Sequence, residues 1–192
     1  MRRARRQAIA AIENEGEDFD SDRMRQEIAE ALAGALILAA IAALSHYEEQ
    51  FQLYLDDGDT LEQITQWANQ HAEREAARIM QTTDSLLSDA ELEDDPQRSS
   101  DIAEQAFTDE RAQRIGITEI TMGLAAGALL FAAIARARHN VDVELIWYTQ
   151  DDERVCPVCA PLHGTTQDEW GQQFPDGPPA HVRCRCGLTA RA

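Results

Sequence analysis

The sequence predicts an α+β protein that is mainly α: a bundle of long helices followed by a small C-terminal β module stapled by zinc. Three observations carry this expectation. The first 140 residues read as long helices, within which residues 31–45 and 120–135 are uncharged and rich in alanine. Residues 141–149 alternate apolar and acidic side chains, the period of a strand with one face buried. All four cysteines fall in the last 37 residues, in the order Cys156-x-x-Cys159, His163, His181-x-x-Cys184-x-Cys186.

The elements follow in order. Residues 1–20 form an arm in which Arg2, Arg3, Arg5 and Arg6 precede the acidic run Glu15, Glu17, Asp18, Asp20 and Asp22. The arm is either solvated and neutralised by its own acidic neighbour or in contact with DNA or an acidic partner. No apolar core follows the arginines at once, so no cleavable signal peptide is expected. A helical body spans 21–140. Ser21 is expected to cap a helix over 22–54 ended by Asp56-Asp57-Gly58, and Thr60 with Gln63 to form a capping box for a helix reaching about Leu87. The acidic segment 88–96, which contains Pro96, reads as a loop. Ser100 is expected to cap a third helix, bent near Gly116 and ended by Asn140. Gly123-x-x-x-Gly127 in that helix has a spacing that lets helix backbones approach closely. The two uncharged stretches hold only 15 and 16 residues, against about 20 needed to span a bilayer. They are therefore expected to pack together as the bundle core rather than cross a membrane. Residues 141–192 form the metal-binding module, with a second strand over 184–190.

Zinc prefers four soft or borderline ligands in a tetrahedron, and two distant knuckles supply them here. The candidates are Cys156, Cys159, Cys184, Cys186 and His181, closing a loop of 24 residues, 160–183, on one structural Zn2+. Cys184 and Cys186 would share one face of an extended strand. The expected set is Cys156, Cys159 and Cys186 with either His181 or Cys184 as the fourth donor. His163 is expected to be structural. Two disulfides or free thiols are the alternatives.

The residues around the knuckles carry a resemblance. Trp147-Tyr148-Thr149, the run from Asp151 to Cys159, Leu162-His163-Gly164, Phe174, Pro178-Pro179-Ala180-His181 and Cys184-Arg185-Cys186 resemble the closing domain of tailed-phage head morphogenesis proteins, the minor capsid family of the phage Mu protein F type. Arg114-Ile115-Gly116-Ile117-Thr118-Glu119 stands where that family has its upstream motif, so the resemblance covers about 111–190. Many members carry His at the position of Cys159 and lack the first cysteine. The resemblance implies a minor virion protein in the capsid interior or at the portal vertex, made in the host cytoplasm. It would contact the portal protein or the major capsid protein and assist head assembly or DNA delivery.

Composition narrows the host and the function classes. The chain has 17 arginines, no lysine, 35 carboxylates and a net charge of −18. Self-repulsion of that size strains a compact fold in dilute salt, whereas molar salt cuts the screening length to about 3 Å. A haloarchaeal tailed virus is expected, with an acidic mesophile phage as the alternative. The charge also opposes nonspecific DNA binding by the surface at large, since phosphates need clustered cations. No H-E-x-x-H, phosphate-binding Gly-Lys-Ser/Thr, Gly-x-Ser-x-Gly or deaminase H-x-E motif is present, so no enzyme is expected. A structural minor head protein is the first expectation. A zinc-dependent nucleic-acid module using Arg183, Arg185 and Arg191, or a membrane-active ejection protein, are the alternatives.

Overall fold

The computed structural model describes residues 20–55, 58–150 and 152–192. The basic arm up to residue 19, with its expected DNA contact, and Asp56, Asp57 and Asp151 lie outside the described residues. Four helices, α1 (Ser21–Phe51), α2 (Gly58–Glu91), α3 (Pro96–Gln105) and α4 (Asp109–His139), precede strand β1 (Glu144–Tyr148), a 3-10 turn (Ala160–Leu162), the one-turn helix α5 (Gln167–Trp170) and strand β2 (Gly187–Arg191). The protein is thus mainly helical with a small C-terminal sheet of two antiparallel strands.

Several helix boundaries differ from the sequence expectation, each for a local reason. Asp20, not Ser21, caps α1: its Oδ1 accepts the Arg23 N–H at 2.9 Å, and Ser21 is the first helical residue. A carboxylate also complements the positive end of the helix dipole better than a hydroxyl. α1 ends at Phe51, because Gln52 takes a left-handed conformation (φ 54°) and the Leu53 N–H reaches back to the Glu48 carbonyl. α2 already starts at Gly58, so Thr60 lies inside it and its hydroxyl donates to the Leu55 carbonyl. It runs on to Glu91, into the first part of the segment expected to be loop. Pro96 opens α3 rather than breaking a helix: Asp95 accepts the Gln97 N–H, and the missing proline N–H is one that a first turn leaves unpaired anyway. The break before α4 falls at residues 106–108, where Thr108 Oγ1 accepts the Arg111 N–H, and α4 runs through Gly116 unbroken. Asn140 does end it, with φ 54°.

The chain divides into two compact units, and α1, α2 and α4 each contribute residues to both. The first takes the chain up to Leu32 and Asn69–Arg114. Its core is Met24, Met80, Leu87, Ala90, Ala103, Ala106 and Phe107. Arg111 ties it together, donating to Thr83 Oγ1 (3.0 Å) and to the carbonyls of Ile79 (3.0 Å) and Ala106 (2.6 Å).

The second unit takes Ala33–Ala68 and Ile115–Ala192. Here Gly123 and Gly127 of α4 lie against α1: a Cβ on Gly123 would stand 2.7 Å from Ala39 Cβ, and one on Gly127 would collide with the Ala40 carbonyl oxygen. The small-residue spacing therefore does bring two backbones together. Tyr47, Phe51 and Phe131 stack around the end of α1, whereas Tyr54 is exposed. By length and composition α1 and the stretch Pro96–His139 would each suffice to cross a membrane, and 39% and 44% of their apolar windows are buried. β1 and β2 pair from Glu144 opposite Arg191 to Tyr148 opposite Gly187. The outer edge of β1 is closed by Trp147, whose N–H donates to the Thr165 carbonyl and whose carbonyl accepts the Gly164 N–H. The outer edge of β2 is closed by Tyr47 Oη–H and Gln50 Nε2–H, which donate to the carbonyls of Leu188 and Ala190.

Candidate metal centre

Two turns present the donors. After β1 the chain makes a tight turn at Cys156-Pro157-Val158-Cys159, closed by the Cys159 and Ala160 N–H groups donating to the Cys156 carbonyl. The second turn follows the cis Pro178-Pro179 bond, with Arg183 in a left-handed conformation (φ 64°) and the Cys184 N–H donating to the His181 carbonyl. Cys184 and Cys186 precede β2 rather than lying on it, which corrects the expected strand over 184–190. Extended backbone nevertheless alternates here: both cysteines are buried and Arg185 is exposed.

All five expected ligands come together. Cys156, Cys159 and His181 form one group of mutually close donors, and Cys159, Cys184 and Cys186 form another, with Cys159 common to both. Cys156 Sγ and Cys159 Sγ stand 3.0 and 3.3 Å from His181 Nε2, and Cys159 Sγ is 3.8 Å from Cys184 Sγ. Two sulfurs about 2.3 Å from one tetrahedral ion are about 3.8 Å apart, the separation of the Cys159 and Cys184 sulfurs, while the His181 contacts are those of hydrogen-bonded groups with no ion between them. His181 is also held in the right tautomer, since Nδ1 lies 2.8 Å from the Val182 carbonyl and leaves the Nε2 lone pair facing the sulfurs. A cavity of about 30 Å³ opens among them, lined by Cys156, Cys159, His181 and Cys186 with Gln150, Val155, Arg154, Arg183 and Arg185. Cys184 is not part of its wall.

All four cysteines are free thiols, so the alternative of two disulfides is not formed. Their proton affinities are split by their neighbours. A hydrogen bond from Cys186 draws Cys184 down to about 5, against burial. Burial, with Cys156 next, pushes Cys159 up to about 12. Cys184 and burial likewise push Cys186 up. Burial opposes ionisation of Cys156, but the Cys159 N–H and side chain and the Val158 N–H hold its pKa below the usual thiol value. The Val182 carbonyl raises His181 against burial.

The surroundings explain residues whose role was not legible. Thr118 Oγ1 accepts the Arg183 N–H (3.1 Å), and Thr121 Oγ1 donates to the Cys184 carbonyl (3.0 Å). These threonines, one turn apart on α4, hold the second turn in place. The upstream Thr118-Glu119 motif thus sits against the metal turn, whereas Thr121 carried no signal beyond its helical spacing from Thr118. Arg185 clasps Asp152 with two bonds of 2.8 Å, joining the two turns and holding the Asp152 carboxyl below its usual pKa. His163 Nδ1 accepts the Thr149 N–H and lies 2.8 Å from Thr149 Oγ1, outside both donor groups.

The family model described as Phage Mu protein F like protein matches residues 45–189. The chain belongs to this family. The match reaches well upstream of the span 111–190 read from motifs, back into the end of α1. Membership in the Mu F-like family makes this a phage structural protein of the head morphogenesis class. No curated protein and no solved structure matches the chain.

Proposed function

We propose that this Mu F-like protein is a structural minor head protein of a tailed virus, non-enzymatic, bound to the portal or the major capsid protein in the capsid interior or at the portal vertex. Family membership carries this reading. In it, one structural Zn2+ held by Cys156, Cys159, His181 and Cys186 staples residues 141–192 into shape. The metal would supply a rigid four-coordinate joint between the two turns. The closeness of Cys156 Sγ and Cys159 Sγ to His181 Nε2 supports His181 as a member of this set. The absence of lysine and the net charge of −18 support a haloarchaeal host.

The nucleic-acid alternative loses ground because Arg185 and Arg191 are paired with Asp152 and Glu144, leaving fewer cations for phosphate. The ejection alternative draws on the two long apolar helices. Their mutual packing at Gly123 and Gly127 favours a bundle instead, and liposome flotation of the purified protein separates the two.

Quantitative mass spectrometry of virions and procapsids tests the role. The protein should be present at low copy relative to the coat protein; absence from both particles, or a copy number matching the coat, would rule it out. Chelator competition tests the ligands. His181→Ala and Cys186→Ala should each release zinc, and Cys184→Ala should retain most of the affinity; the reverse order for Cys184 and Cys186 would overturn the set.

A further inference from the structure

We propose that Trp147 is a positioning residue for the metal centre, donating its indole N–H to the Cys186 sulfur when that sulfur holds the ion. This rests on the zinc reading above.

Trp147 is fully buried, and its Nε1 has no hydrogen-bond partner. Buried donors are rarely left unpaired; Trp170 Nε1 shares that state, and what singles out Trp147 is an acceptor within its reach. The sheet register says which. Trp147 stands opposite Leu188, and continuing the antiparallel pairing by two residues places Cys186 diagonally across from it on the same face, within reach of a large aromatic side chain. Both belong to one buried cluster. A neutral thiol is a poor acceptor, whereas a metal-bound thiolate carries the charge that an N–H would complete. Partners of this kind fix ligand orientation and strengthen metal binding. Trp170 serves as an internal control, since its Nε1 is equally buried and unpartnered, and its ring packs edge-on against Trp147.

The test uses the full chain labelled with 15N-tryptophan, chelated and then loaded with zinc or 113Cd, the Trp147 indole resonance being assigned by its loss in Trp147→Phe. Loading should move that resonance downfield and give it a coupling to 113Cd, while the Trp170 indole shows none. Zinc affinity of Trp147→Phe should fall about 10- to 100-fold, and that of Trp170→Phe should not change. If Trp147→Phe fails to fold, Trp67→Phe and Trp170→Phe assign the other two indoles, and the wild-type spectra still decide. Metal bound without coupling to Trp147 overturns the donor and leaves the metal reading intact. Failure of the wild type to bind zinc or cadmium overturns both.

Discussion

Gly127→Ala should destabilise the protein although it removes a glycine from the middle of a helix. In an open helical position this change is favourable by about 1 kcal/mol, because alanine has less backbone freedom to lose. At Gly127, however, the added Cβ collides with the Ala40 carbonyl oxygen and stands 2.9 Å from Ala43 Cβ. Neither obstacle is the end of a flexible side chain, so α1 and α4 must separate. Overpacking of a tight core costs about 1–3 kcal/mol, and a backbone obstacle belongs at the top of that range. The net expectation is about 2 kcal/mol of destabilisation, or a melting temperature lower by about 4–8 °C for a chain of this size. Gly116→Ala is the matched control, since nothing lies within 4 Å of its added Cβ in the same helix; it should stabilise by about 0.5–1 kcal/mol. Urea unfolding of the wild type and both variants in one buffer reads the result. A Gly127→Ala protein as stable as Gly116→Ala would refute the close approach of α1 and α4.

Cys159→Ser should release the single zinc and disorder residues 141–192 with most helical circular dichroism retained, because about 10 kcal/mol or more of metal binding is folding energy there; elemental analysis with amide exchange checks it, and an unchanged metal content would contradict it. Arg111→Leu should cost about 2–3 kcal/mol in urea unfolding, since the carbonyls of Ile79 and Ala106 lose a charged donor. The melting temperature should rise between dilute buffer and molar KCl, and greater stability in dilute buffer would sink the halophile origin. The Asp152 carboxyl, held down chiefly by Arg185, should titrate below the ordinary carboxylate range. Its stabilising effect is present above the unfolded-state pKa and lost as pH falls through the lowered value, and Arg185→Gln should return it to normal in a carboxyl NMR titration.

Helix existence was legible because the signal repeats along many residues: the alanine-rich stretches and Gly123-x-x-x-Gly127 state the packing face outright. Boundaries were not, because each turns on one residue with competing options. Asp20 and Ser21 are both good caps, and only the chain's path selects Asp20. Pro96 reads as a breaker until Asp95 is seen to cap ahead of it. Gly116 looks like a bend, yet no contact there exploits its missing side chain, while the real break at 106–108 bears no glycine or proline. The candidate donors were legible as a set, and the structure brings all five together. Which four of them would hold an ion depends on distances between segments 25 residues apart, which spacing does not encode. Trp147 and the two threonines of α4 act through distances the sequence does not encode.

Both margins of the β1–β2 sheet are occupied, one by the Thr165 carbonyl and Gly164 N–H, the other by Tyr47 and Gln50. A sheet so bordered cannot grow. An incoming strand would have to displace Tyr47, whose hydroxyl and ring are both engaged, or unmake the turn before α5, so this sheet is closed to strand addition. Among the described residues, that leaves the side chains of the helices and turns as the surface open to a partner. That gives the short sheet a second value as a guard against runaway self-association at high local concentration.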